Sequence, residues 1–157
     1  MNLMESSTIK ALRGLLLILL IIGILGTGAE LLLREHYEDV WQFAPLILMG
    51  LSLLVLGWRV VDRRAVSMRV FQATIILFVV SGFVGIWMHY QGNAEFELEM
   101  YPTMKGFELF WEALKGATPA LAPGTMIQLG LVGLAYSYRH PALAQPAEQP
   151  PNTNGET

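Results

Sequence analysis

The sequence predicts an all-α fold: an integral membrane four-helix bundle, with a short amphipathic interfacial helix between spans three and four. Two observations predict it. Residues 11–33, 40–58, 70–88 and 121–138 are almost wholly apolar, and each approaches the roughly 20 residues a helix needs to cross a hydrocarbon core about 30 Å thick. The charged residues are only 15% of a chain that is 54% hydrophobic, against about 25% in a soluble domain. They gather between the apolar stretches and alternate in sign.

The first span follows Lys10 and Arg13. Small residues at Gly26, Thr27, Gly28 and Ala29 would suit signal-peptide cleavage after Ala29. The apolar run continues through Leu31, Leu32 and Leu33, however, and favours an uncut span. The first connection, residues 34–39 with Glu30 before it, is short and acidic, so spans one and two are expected to be antiparallel neighbours. Pro45 sits early in span two, where a missing N–H costs little. Residues 59–69 form a compact turn with Arg59, Arg63, Arg64 and Arg69 against Asp62.

The third connection, residues 89–120, is too long to be slack coil. Met104, Phe107, Phe110, Trp111 and Leu114 recur in it at helical spacing, with Lys105, Glu108, Glu112 and Lys115 opposite. This predicts a helix over about 103–116, capped by Thr103 and stopped at Gly116, lying on the outer membrane interface or on the protein's own bundle. Glu95, Glu97 and Glu99 before it read as a solvated extended segment. Residues 1–140 form one membrane domain. The tail, 141–157, is rich in Pro, Ala, Gln and Asn and is expected to be disordered.

Net charges on the five segments outside the spans run +1, −3, +3, −3 and −1. Lys and Arg favour the cytoplasmic side. Both termini and the basic turn are therefore expected inside, with residues 30–39 and 89–120 outside. Residues 50–59 and 130–139 echo one another: Gly50, Leu51, Leu54 and Arg59 match Gly130, Leu131, Leu134 and Arg139. General demands on membrane helices explain that echo better than duplication does.

Composition bounds the chemistry. The chain has no cysteine, which excludes disulfides, thiolate metal sites and iron–sulfur clusters. A net charge of −3 gives no footing for nucleic acid. No Asp, Glu, Lys, Arg or His lies mid-span, against the pattern of an ion-coupled transporter. No phosphate loop, nucleophile elbow or paired-histidine zinc motif occurs.

Three sets of residues remain as candidates. Gly23 with Thr27, Ser81 with Gly85, and Gly133 with Ser137 have the spacing that lets membrane helices approach closely. Gln128 is an amide within an apolar span and is expected to be buried against another helix. His36 with Glu35 and Asp39 closes span one and His89 closes span three. Imidazole and carboxylate suit zinc or copper, and two histidines at one depth suit haem iron. The sequence favours a non-enzymatic accessory or assembly subunit, or a homo-oligomer, with the bilayer and other membrane subunits or itself as partners and no cofactor. The alternatives are a metal- or haem-handling protein using the outer-face residues, and an oligomeric small-molecule carrier with Gln128 in its lining.

Overall fold

A computed structural model describes residues 3–144. Those residues are mostly helical, with five α-helices and no strand among them. α1, Leu3–Leu33, has no proline to interrupt it. It ends in a tight reversal: Glu35 adopts a left-handed conformation (φ 53°), and the amides of Glu35 and His36 bond back to Leu32 O and Leu31 O at 3.1 and 2.9 Å. That pair of bonds satisfies the helix's last carbonyls and fixes where His36 emerges. A 3-10 turn, Val40–Gln42, leads into α2, Phe43–Val61.

The basic turn is held by its own side chains. Asp62 accepts from the backbone and side chain of Arg64 at 3.0 and 2.9 Å. The fully buried Ser67 hydroxyl lies 2.7 Å from Asp62 O and accepts from Arg59. α3, Ala65–Met100, has 36 residues, about 54 Å at 1.5 Å per residue, far beyond the 70–88 expected of the third span. The expectation of an extended Glu95, Glu97 and Glu99 is corrected here: all three are helical. Ala94, Phe96 and Leu98 interleave with the glutamates, and no proline occurs before Pro102, so nothing stops the helix at the membrane boundary.

α4, Gly106–Lys115, starts after Lys105 rather than after the expected Thr103 cap, and ends at Gly116 as its sequence predicts. α5, Gly124–Ser137, has only 14 residues. Three helices are thus long and apolar enough to cross a membrane, and the fourth expected span, 121–138, is only partly α-helical. Pro119 and Pro123 explain the difference. Residues 119–126 instead close i→i+3 bonds, from Ala122 to Pro119, Gly124 to Leu121, Thr125 to Ala122 and Met126 to Pro123, the tighter winding of a 3-10 turn. Residues Pro141–Ala144, placed by the sequence in its disordered tail, form a 3-10 turn with Ala142 buried. The rest of that tail, 145–157, lies outside the described residues.

α1 packs on α2 and α5, α2 on α3, and α3 on α5, so these four helices close a ring. Its centre holds Leu20 and Ile24 of α1, Met49 and Val55 of α2, Phe71, Ile75 and Phe78 of α3, and Met126, Leu129 and Tyr136 of α5. The Phe71 and Tyr136 rings meet edge-to-face at 5.7 Å. The most extensive contact is between α3 and the chain that returns along it. Ser137 lies beside Gln72, Gly133 beside Ile75, Gly130 beside Val79, Ile127 beside Gly82, Pro123 beside Gly85, Pro119 beside His89 and Gly116 beside Asn93. Steps of three or four residues along α3 match steps of three or four back along the returning chain, as two straight antiparallel helices require.

Candidate functional site

Three places hold the chemistry-bearing residues. The first is the acidic end, where the reversal after α1 and the turn of α3 outside the apolar run bring His36 and His89 together, with ring centroids 6.1 Å apart. Both rings are half-buried. His89 Nδ1 lies 3.2 Å from Pro119 O; with that nitrogen protonated, Nε2 keeps its lone pair. Burial, with the neighbouring His89 adding to it, holds the His36 imidazole below its ordinary range. The two rings thus face each other across the end of spans one and three.

Glu35 and Asp39 remain exposed on the same turn. Among the described residues no group of three His, Asp or Glu side chains is gathered closely enough to hold a metal. Met100 and Met104 line a separate open pocket of about 620 Å³ with Glu97, Glu108 and Glu112.

One organising residue at this end escaped the sequence reading. Asn93 is 3% exposed and bonds to three backbone groups at once. Its amide donates to Ala113 O at 2.9 Å and Thr118 O at 2.6 Å, and its oxygen accepts from Thr118 N at 3.2 Å. It ties the C-terminal end of α4 and the loop after it to α3. The Gly-Asn pair at 92–93 reads as a turn signal, which hid it. α4 docks through Leu109, Ala113 and Gly116, leaving Phe107, Phe110 and Trp111 exposed. Those rings continue through Tyr90 to Trp87, each within about 6 Å of the next, a spacing typical of aromatic pairs.

The second place is the basic end. Arg13 of α1 donates to Tyr138 O and Arg139 O at 3.1 and 2.9 Å, a cation just past the C-terminal end of α5. The Arg64 hydrogen bonds hold the Asp62 carboxyl below its usual range. Burial, reinforced by Arg59 and Arg13, pushes His140 down to about 4, and its Nδ1 accepts from Ala142 N at 3.2 Å.

The third place is the outward face of α5, and here an expectation is corrected. Gln128 is exposed, not buried against another helix of the chain. Met126, Leu129, Gly130, Gly133, Tyr136 and Ser137 set the inward face, and 100° per residue carries position 128 to the opposite side. Its neighbours there are Thr125, Leu131 and Ala135. Its amide makes no hydrogen bond among the described residues.

The small residues are used inside the chain: Gly23 seats Leu129, Gly85 seats Pro123 and Gly133 seats Ile75. Ser137 bonds to Leu134 O and accepts from Gln72. Thr27 and Ser81 are half-buried, and Gly82 rather than Ser81 makes the close approach to Ile127. No protein-family model, curated protein or solved structure matches the chain.

Proposed function

We propose that this chain is a non-enzymatic, four-span membrane protein that works by association within the bilayer, as a homo-oligomer or as the accessory subunit of a larger membrane complex. Gln128 carries the reading. An amide that faces hydrocarbon without a partner is costly, and hydrogen bonding across to another membrane helix removes that cost. The chain's own helices do not reach it, so the partner helix belongs to another chain.

Support for four spans comes from the two ends of the ring. Arg13 meets Tyr138 and Arg139 at one end, and His89 meets Pro119 while facing His36 at the other. Residues 119–138 thus run between the same two ends of the ring as residues 13–36. In this reading the termini and the basic turn face the cytoplasm, and residues 30–39 and 89–120 lie outside.

Native mass spectrometry of protein extracted from its host membrane in mild detergent tests the proposal. The expected result is a dimer or larger assembly, or a stoichiometric co-purifying subunit, weakened by Gln128→Leu. A monomer with no partner, unchanged by that substitution, would overturn it.

A second reading is favoured by His36 and His89, whose facing rings supply two nitrogen ligands to a zinc or copper ion or the axial pair of a haem. It expects stoichiometric metal, or a haem absorption band, that is lost in both His36→Ala and His89→Ala. Metal-free, colourless protein from cells grown with zinc, copper and haem would reject it.

A further inference from the structure

The ring of helices is loosest between α1 and α2, and a cleft opens there beside the basic end. Its volume is about 340 Å³. Leu17 and Ile21 of α1 face Leu53, Leu56 and Val60 of α2 across it. Gly57 keeps it open, because the space above its Cα is empty to 4 Å. Arg59 and Arg63 stand at its edge, and neither is paired with a carboxylate among the described residues. The nearest carboxylate in sequence, Asp62, is held by Arg64 at 2.9 Å. Tyr136, 8% exposed, also lines the cleft, and its hydroxyl makes no hydrogen bond among the described residues.

We infer that this cleft binds an anionic glycerophospholipid, one acyl chain between α1 and α2 and the headgroup phosphate on Arg59 and Arg63. The inference rests on the membrane-spanning reading above. Leu53 lies about 9 Å along the helix from Arg59, so apolar walls and cationic rim stand in the same order as acyl chain and phosphate. Guanidinium groups match phosphate oxygens with paired donors, and the Tyr136 hydroxyl is a donor for an ester carbonyl at the depth between them. The apolar walls choose a lipid over free phosphate. The unpaired arginines choose an anionic headgroup over a zwitterionic one.

The test uses the full chain in nanodiscs of phosphatidylcholine with phosphatidylglycerol, read by native mass spectrometry after release into detergent. One phosphatidylglycerol per chain is expected to remain, favoured over phosphatidylcholine by on the order of tenfold. Arg63→Gln, an exposed substitution, is expected to remove most of that preference. Gly57→Phe, which fills the cleft where the chain has no atoms, is expected to abolish retention without changing helicity. Inorganic phosphate at millimolar concentration is expected not to displace the lipid. Equal retention of both lipids, or retention indifferent to Gly57→Phe and Arg63→Gln, would overturn the inference. Carbonate extraction of membranes from the expressing cells separates the two proposals: protein in the supernatant sinks the membrane-spanning reading, while protein in the pellet that retains no lipid from nanodiscs sinks only the cleft.

Discussion

Asn93 satisfies three backbone groups from one buried side chain, so its removal leaves more than its own contacts unmade. In Asn93→Ala the Thr118 carbonyl loses its donor and the Thr118 amide its acceptor, while Ala113 O keeps only the Gly116 amide at 3.4 Å. Orphaned backbone groups of this kind cost about 1–3 kcal/mol. We expect a comparable loss of thermal stability in detergent, with earlier proteolysis between residues 101 and 120 than elsewhere. An unchanged melting point would refute the anchoring role. His140 sets a second effect at this scale. Its folded pKa of about 4 lies below the ordinary 6.5, so the unfolded chain takes up the proton first as pH falls. The stability contributed by neutral His140 is complete above pH 6.5 and lost between there and about 4. The wild type should therefore melt lower at pH 5 than at pH 7.5. His140→Asn should respond less, the remainder coming from His36, which shifts in the same direction. Identical pH responses of the two proteins would show that His140 does not titrate with folding.

The antiparallel pairing of α3 with residues 116–137 depends on glycines where the backbones come closest. A Cβ on Gly130 would stand 2.5 Å from Val79 Cγ2 and 3.2 Å from Ile75 O, and one on Gly82 would stand 2.5 Å from Ile127 Cγ1. Gly130→Val should therefore destabilise the protein by roughly 1–3 kcal/mol through overpacking. Gly50 lies in α2 with nothing within 4 Å of the added carbon, so Gly50→Ala should stabilise by about 0.5–1 kcal/mol. Thermal unfolding of the two variants in one detergent checks both signs. The contrast also separates the echoing stretches 50–59 and 130–139: the matching glycines do different work. Apolar runs made α1, α2 and the membrane part of α3 legible in the sequence, because length and hydropathy suffice there. The continuation of α3 to Met100 was hidden by Glu95, Glu97 and Glu99, whose charges look like loop although glutamate is a good helix former. The outward turn of Gln128 was hidden because α5 is apolar on every face, and only packing shows which face is inward. Of the candidate sites, the convergence of His36 and His89 was legible from their equal depth at the ends of spans one and three. The cleft was not, since it depends on how loosely α1 and α2 meet.

At the scale of the molecule, charge and shape divide the chain into two ends. Lys10, Arg13, Arg59, Arg63, Arg64 and Arg139 belong to one, and the acidic connections, the exposed rings of α4 and the two facing histidines to the other. The proposed topology accounts for the division: a cytoplasmic face retains arginine and lysine, while carboxylates and interfacial aromatics tolerate the opposite face. The 36-residue α3 is too long to sit wholly in hydrocarbon, and in the proposed topology its excess, with α4 folded back on it, stands outside the membrane. Because the chain has no cysteine, single substitutions report topology without background. Ala117→Cys, exposed at the acidic end, should react with a membrane-impermeant maleimide in intact cells. Val61→Cys, 88% exposed at the basic end, should react only after the membrane is opened. Labelling of Val61→Cys in intact cells would invert the orientation. Equal labelling of both before and after permeabilisation would mean that the two ends do not lie on opposite sides of a bilayer, and the spans, the unpaired Gln128 amide and the lipid cleft would all lose their physical setting.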